Sequence, residues 1–149
     1  MPPARGGYSQ GVSADLPLAF ARRADGFRHA AAGGLWLAPL VYLERARYGP
    51  GWYGKVVSSD PDRLLAWAMA RGIPQRALQI KSLPDLDTPL HSRRRLPGYH
   101  IDLWGARLAL AYDPQVLART RNRAAALLSL RHGQEGSLSS DRSPSAPSP

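Results

Sequence analysis

The chain has 149 residues, 44% of them hydrophobic and 21% charged, and a net charge of +9; that length suits one domain with a real core. It contains no cysteine, which excludes disulfides and thiolate metal sites and fits a cytoplasmic setting. Of its 20 basic residues only Lys55 and Lys81 are lysines, so the excess charge is guanidinium, a group that grips phosphate and carboxylate bidentately, and nucleic acid or another polyanion is a reasonable partner.

Residues 1–33 are rich in Pro, Gly, Ala and Arg and read as a flexible basic arm; residues 16–29 have only poor helical periodicity. The first residues lack the charged-then-apolar layout of a secretory signal. The apolar run at 30–43 is shorter than the roughly 20 residues a membrane span needs, so no membrane partner is expected. Residues 35–43 read as a strand buried on both faces, with Pro39 forcing an edge position or a break.

Turn chemistry at 48–52 leads into a short strand over 53–57. Asp60 is a good N-cap, Pro61 fits the first helical position, and Gly72 ends a helix over 61–71 whose apolar stripe is Leu64, Leu65, Ala68 and Met69, with Trp67 on its margin. Residues 75–80 read as a strand and 81–97 as a long loop. Residues 99–101 form a short strand, after which Asp102 caps a helix over 103–112. Asp113-Pro114 starts a last helix ending near Arg131, with Val116, Leu117, Thr120, Ala124, Leu127 and Leu128 inward. The expected architecture is a small α/β domain over 34–131: a mixed sheet of about four short strands with three helices, followed by a disordered Ser/Pro tail over 132–149.

From Trp52 to Tyr112 the chain resembles a bacterial family, domain of unknown function 4031. The matching residues are Trp52, Ser59-Asp60, the run from Arg63 to Ala68, Gly72, Leu78-Gln79 and His100-Ile101-Asp102, with Arg107 further on. The resemblance covers about two-fifths of the chain and implies the α/β fold and candidate positions, with no established activity. The chain departs from the family at Arg63 and Leu65, where the family has an acid and a histidine, and near Val56, where it has another histidine. Of the family's histidines only His100 is kept.

His100 and Asp102 are two apart, so in an extended segment they share a face, and the carboxylate can orient the imidazole as a general base. In the alternative, Asp102 is only a cap. Arg93-Arg94-Arg95, with Arg107 and Tyr99, offer charge and a stacking surface for phosphate and bases. Ser58 and Ser59, at a helix start, make a poor anion site because Asp60 and Asp62 repel it. Asp85, Asp87 and His91 match no recognised metal spacing, so no metal and no named cofactor is expected.

These readings lead to three expectations. The first is a domain that binds a phosphorylated ligand or nucleic acid through Arg93, Arg94, Arg95, Arg107, Tyr99 and His100. The second is a hydrolase or transferase with His100 and Asp102 as acid/base pair and Gln79 orienting substrate. A protein-interaction module whose arginine-bearing last helix meets an acidic partner is a third.

Overall fold

The computed structural model describes residues 15–139, and the chain separates into two units, one ending at Ala111 and one beginning at Tyr112. That boundary falls inside the 34–131 span that reads from sequence as one domain. The described elements of the first unit are α1 (Arg23–Ala31), β1 (Trp36–Leu37), β2 (Val41–Leu43), β3 (Gly51–Ser58), α2 (Pro61–Met69), β4 (Leu78–Ile80), β5 (Leu83–Pro84), β6 (Arg95–Leu96) and β7 (Tyr99–Trp104), with short 3₁₀ turns at Gln75–Ala77, Leu90–Ser92 and Gly105–Leu110.

The main sheet runs β1-β3-β7-β4, with β2 also on β3, and every ladder in it is antiparallel. A single residue, Leu18, bridges Trp36 in parallel. Pro39 acts as its missing N–H requires: β1 pairs with Val56–Val57 and β2 with Gly51–Tyr53, on the same outer edge of β3. Between them the Ala38 N–H donates to the Lys55 carbonyl (3.0 Å).

Strand β7 overturns the expected cap. The run Tyr-His-Ile-Asp-Leu-Trp alternates with the strand period, and Ile101 and Leu103 are both fully buried. Asp102 therefore sits inside a strand, and Gly105 (φ 55°) turns the chain into a 3₁₀ segment where a helix over 103–112 was expected. An aspartate ahead of apolar residues signals a cap only if the chain turns there, and the buried alternation keeps this one extended.

Helix α2 forms as its sequence dictates. Asp60 Oδ1 accepts from the Arg63 N–H (3.1 Å), and Pro61 occupies the first turn. Gly72, at φ 78°, ends the turn that follows the helix, and the Ile73 N–H returns to the Ala68 carbonyl (3.0 Å). Leu64, Trp67 and Ala68 are buried while Met69 is exposed, so the apolar stripe is centred on Trp67. Helix α2 packs on β3 and β7.

The opposite face is covered at one end by α1, which lies within the segment read as a flexible arm. Gly26 and Ala30 are buried there, and the core cluster joins Ala30, Trp36, Ala38, Val57 and Leu83. The indole of Trp36 lies so close that a Cβ on Gly26 would be 2.1 Å from it. Ser59 ties α1 to the sheet, its Oγ donating to the Ala31 carbonyl and its N–H to that of Ala30, while Ser58 Oγ accepts from the Asp60 N–H. Both serines are thus engaged in this junction. Arg63, at a family departure, pairs with Asp15 (2.7 Å).

The long loop over 81–97 is partly ordered as the β5–β6 ladder. The second unit contains α3 (Pro114–Ser139). Val116, Leu117, Thr120 and Ala124 are half-buried, whereas Leu127 and Leu128 are exposed, against the inward face expected for them. Residues 1–14 and 140–149, including most of the expected arm's start and tail, lie outside the described residues. No helix among the described residues is long and apolar enough to cross a membrane.

Candidate functional site

The β3–β7 register sets Tyr53 opposite Trp104, Lys55 opposite Asp102 and Val57 opposite His100; Gln79 of β4 also pairs with His100. Opposed residues project to the same side of a sheet. Tyr53, Lys55, Gln79, His100, Asp102 and Trp104 therefore share one face. α1 covers that face only around Val57 and Trp36. Past this cover the face is polar, half-buried except at the exposed Gln79, and forms the solvated side of an antiparallel sheet that buries Val56, Ile101 and Leu103 behind it.

Asp102 is the hub. His100 Nε2 lies 3.3 Å from its Oδ1, and Gln79 Nε2 donates to its Oδ2 (3.1 Å). The His100 hydrogen bond, opposed by partial burial and helped by the imidazole charge, Gln79 and Lys55, holds the Asp102 carboxyl below its ordinary 3.8. The exposures differ in a way that assigns roles: the Asp102 side chain is 39% exposed and that of His100 only 14%. His100 Nδ1 is buried without a hydrogen-bond partner. With Nε2 committed to Asp102, the imidazole serves the carboxylate, the reverse of the orientation expected from sequence.

Asp102 opens onto a cavity of about 240 Å³ lined by Tyr48, Tyr53, Gln79 and Trp104 among others. Tyr48 stacks on Trp104 with centroids 4.0 Å apart and rings 7° from parallel. The guanidinium of Arg107 lies 4.5 Å from the Trp104 ring, and that of Arg47 5.7 Å from Tyr48. The Tyr53 hydroxyl donates to the Gly49 carbonyl, pinning the β2–β3 loop beside the cavity.

The chain's two lysines meet at this face. Burial and the positive charges of Lys55 and Arg23 lower the Lys81 amine to about 8 from an ordinary 10.5, with Asp102 opposing. Neither lysine was a sequence candidate. The available signal was the alternation Tyr53-Lys55-Val57, which places Lys55 on one face once the strand pairing is known.

The structure thus brings together His100, Asp102 and Gln79, with Arg107 at the rim through Trp104. It does not bring in the other candidates. Tyr99 alternates onto the opposite face, opposite Ser58 and Ile80. Arg95 donates to Ser82 Oγ (3.0 Å) and the Ser82 carbonyl (2.9 Å), Arg93 donates to the Thr88 carbonyl (3.4 Å), and the Arg94 N–H to Thr88 Oγ1 (3.0 Å). The guanidinium groups of Arg93 and Arg95 thus brace their own hairpin, whereas Arg94 joins it through its backbone N–H and is itself exposed. Asp85 Oδ1 accepts from the Asp87 N–H (3.1 Å), an Asx turn. Among the described residues no group of three or more His, Asp or Glu is placed to hold a metal ion.

Compared with family models, with curated proteins and with solved structures, the chain finds no match in any of the three.

Proposed function

We propose that this protein binds a phosphorylated ligand, a nucleotide or a nucleic-acid segment, on the open face of the β3–β7 sheet. The observation that carries the reading is Lys55, set opposite Asp102 on the polar sheet face, with Lys81 and Arg23 near enough for the positive charges to repel. Like charges crowded together and partly desolvated repel one another, and an anion between them relieves that repulsion. Phosphate is the dianion best matched to several ammonium and guanidinium donors. The adjoining cavity then takes the rest of the ligand: Asp102 accepts hydrogen bonds from N–H or O–H groups, Gln79 can donate or accept, and Trp104, Tyr48 and Tyr53 flank a planar group.

This reading keeps the ligand class expected from sequence and moves its contacts from Arg93–Arg95 to Lys55 and Lys81. The acid/base alternative draws less support. The second nitrogen of His100 is buried, and a carboxylate held below its ordinary range is a weak base at neutral pH. The resemblance over residues 52–112 to domain of unknown function 4031 and a cytoplasmic setting belong to the same proposal; the family resemblance supports candidate positions only.

The test is a titration of the full chain with nucleoside monophosphates and with short RNA and DNA, at about 50 and about 200 mM salt. Binding that weakens with salt, and that Lys55→Ala reduces about tenfold, is expected. Absence of salt-sensitive binding to every one of these ligands overturns the reading.

A further inference from the structure

We propose that the cavity at Asp102 is a base pocket selective for guanine, whose ring N–H and 2-amino group are read together by the Asp102 carboxylate. This rests on the nucleotide reading above and names the base. The cavity measures about 240 Å³, below the roughly 300–1,000 Å³ of sites that enclose a whole drug-sized ligand. It takes one base, and the sugar and phosphate stay outside it. An ionised carboxylate only accepts hydrogen bonds, and it has two lone pairs on each oxygen. In Asp102 one site on Oδ1 faces His100 Nε2 (3.3 Å), and one on Oδ2 takes a proton of Gln79 Nε2 (3.1 Å). A site on each oxygen is left, and the side chain is 39% exposed where it lines the cavity.

Two acceptors side by side match two donors side by side. Among the standard bases only guanine presents that pair on its pairing edge. Adenine and cytosine set a ring acceptor beside the amino group, and uracil and thymine hold one N–H between two carbonyls. The next group along the guanine edge is a carbonyl. The second Nε2 proton of Gln79 and the guanidinium of Arg47, both at the cavity, are donors for it. A cation with paired N–H groups would satisfy the carboxylate too. Arg47 in the lining, Arg107 at 4.5 Å from the Trp104 ring and Lys55 opposite Asp102 make the surroundings positive, which favours a neutral base. Tyr48 and Trp104, stacked with centroids 4.0 Å apart, and Tyr53 give the pocket aromatic sides for a flat ring.

The experiment titrates the full chain by calorimetry at about 50 mM salt with the monophosphates of guanosine, inosine and adenosine, and with guanosine and inosine themselves. Inosine is guanosine without the 2-amino group, so the ratio of the two affinities isolates one hydrogen bond to the carboxylate. The guanosine monophosphate is expected to bind about tenfold tighter than the inosine one, and at least about tenfold tighter than the adenosine one. Guanosine is expected to keep its preference over inosine at lower affinity. Asp102→Asn replaces one acceptor by a donor and is expected to bring the guanosine-to-inosine ratio within about twofold of unity. Lys55→Ala weakens every nucleotide and leaves that ratio unchanged. Each readout is a ratio within one protein, so a partly folded variant does not distort it. Equal affinity for the three monophosphates, or an Asp102→Asn chain with the parent's preference, overturns guanine selectivity while the phosphate reading stands. Guanosine bound as tightly as its monophosphate supports the base pocket and overturns the phosphate contacts. Binding of none of the five overturns both.

Discussion

His100 Nε2 approaches Asp102 Oδ1 to 3.3 Å from two positions away on one strand. Two residues is the repeat at which strand side chains return to the same face, so the contact depends on β7 staying extended through Trp104. Had Asp102 capped a helix, its carboxylate would have turned toward backbone N–H groups and left the imidazole. The pair is thus a product of the strand, and the strand is held by Ile101 and Leu103 buried behind it.

Removing the imidazole should release Asp102. In His100→Ala the carboxyl pKa is expected to rise from its depressed value, and in Gln79→Ala to rise less, because the His100 hydrogen bond is the larger cause. Carboxyl carbon shifts followed by NMR against pH check this. A depressed folded-state carboxyl contributes stability above its unfolded pKa, and that contribution is lost as the pH falls through the folded value. The parent chain is therefore expected to lose more stability than His100→Ala on acidification below the ordinary carboxylate range.

Lys81 acts with the opposite sign. Its folded pKa is about 8 against an ordinary 10.5, so the unfolded chain binds the extra proton between those values and stability rises with pH across that window. Below pH 8 the strain is fully present. Lys81→Met is expected to stabilise the fold at pH 7 by about 1–2 kcal/mol, once solvent screening is discounted, and to remove the rise. Denaturant melts at pH 7 and pH 10 measure both effects.

The Asp60 cap gives a prediction free of the site. Asp60→Ala removes the acceptor of the Arg63 N–H and is expected to cost about 1 kcal/mol in urea unfolding, while Asp60→Ser costs less. An equal loss in both variants would assign the carboxylate another role.

Gly26→Ala tests the packing of α1 on the sheet. The new Cβ would meet the Trp36 indole at 2.1 Å, and Trp36 is 98% shielded from solvent by its surroundings, being only 2% exposed. Overpacking of this kind is expected to cost about 1–3 kcal/mol, outweighing the gain in helix propensity from Gly to Ala of about 1 kcal/mol. A stabilised variant would mean that α1 is free to move away from Trp36.

Local signals made much of this fold legible. Asp60, Pro61 and Gly72 bracket α2, and Pro39 divides the edge strand, because each of these residues acts on its own backbone. His100, Asp102 and Gln79 were also within reach as candidates. Lys55 and Lys81 were not, since 26 positions separate them and only the β3–β7–β4 register joins them. The arginine triplet drew attention by its density of charge, yet Ser82 and Thr88 absorb Arg95 and Arg93 within the hairpin. Charge counted along the chain says nothing about which carbonyls and hydroxyls the fold will place beside it.

The most direct test of where the ligand sits is an NMR titration of the isotope-labelled chain with a nucleoside monophosphate at low salt, read residue by residue. Shift changes concentrated at Lys55, Gln79, Lys81, Asp102 and Trp104, with Arg93, Arg94 and Arg95 unmoved, are the expected result. Changes concentrated at Arg93–Arg95 with the sheet face silent would contradict it.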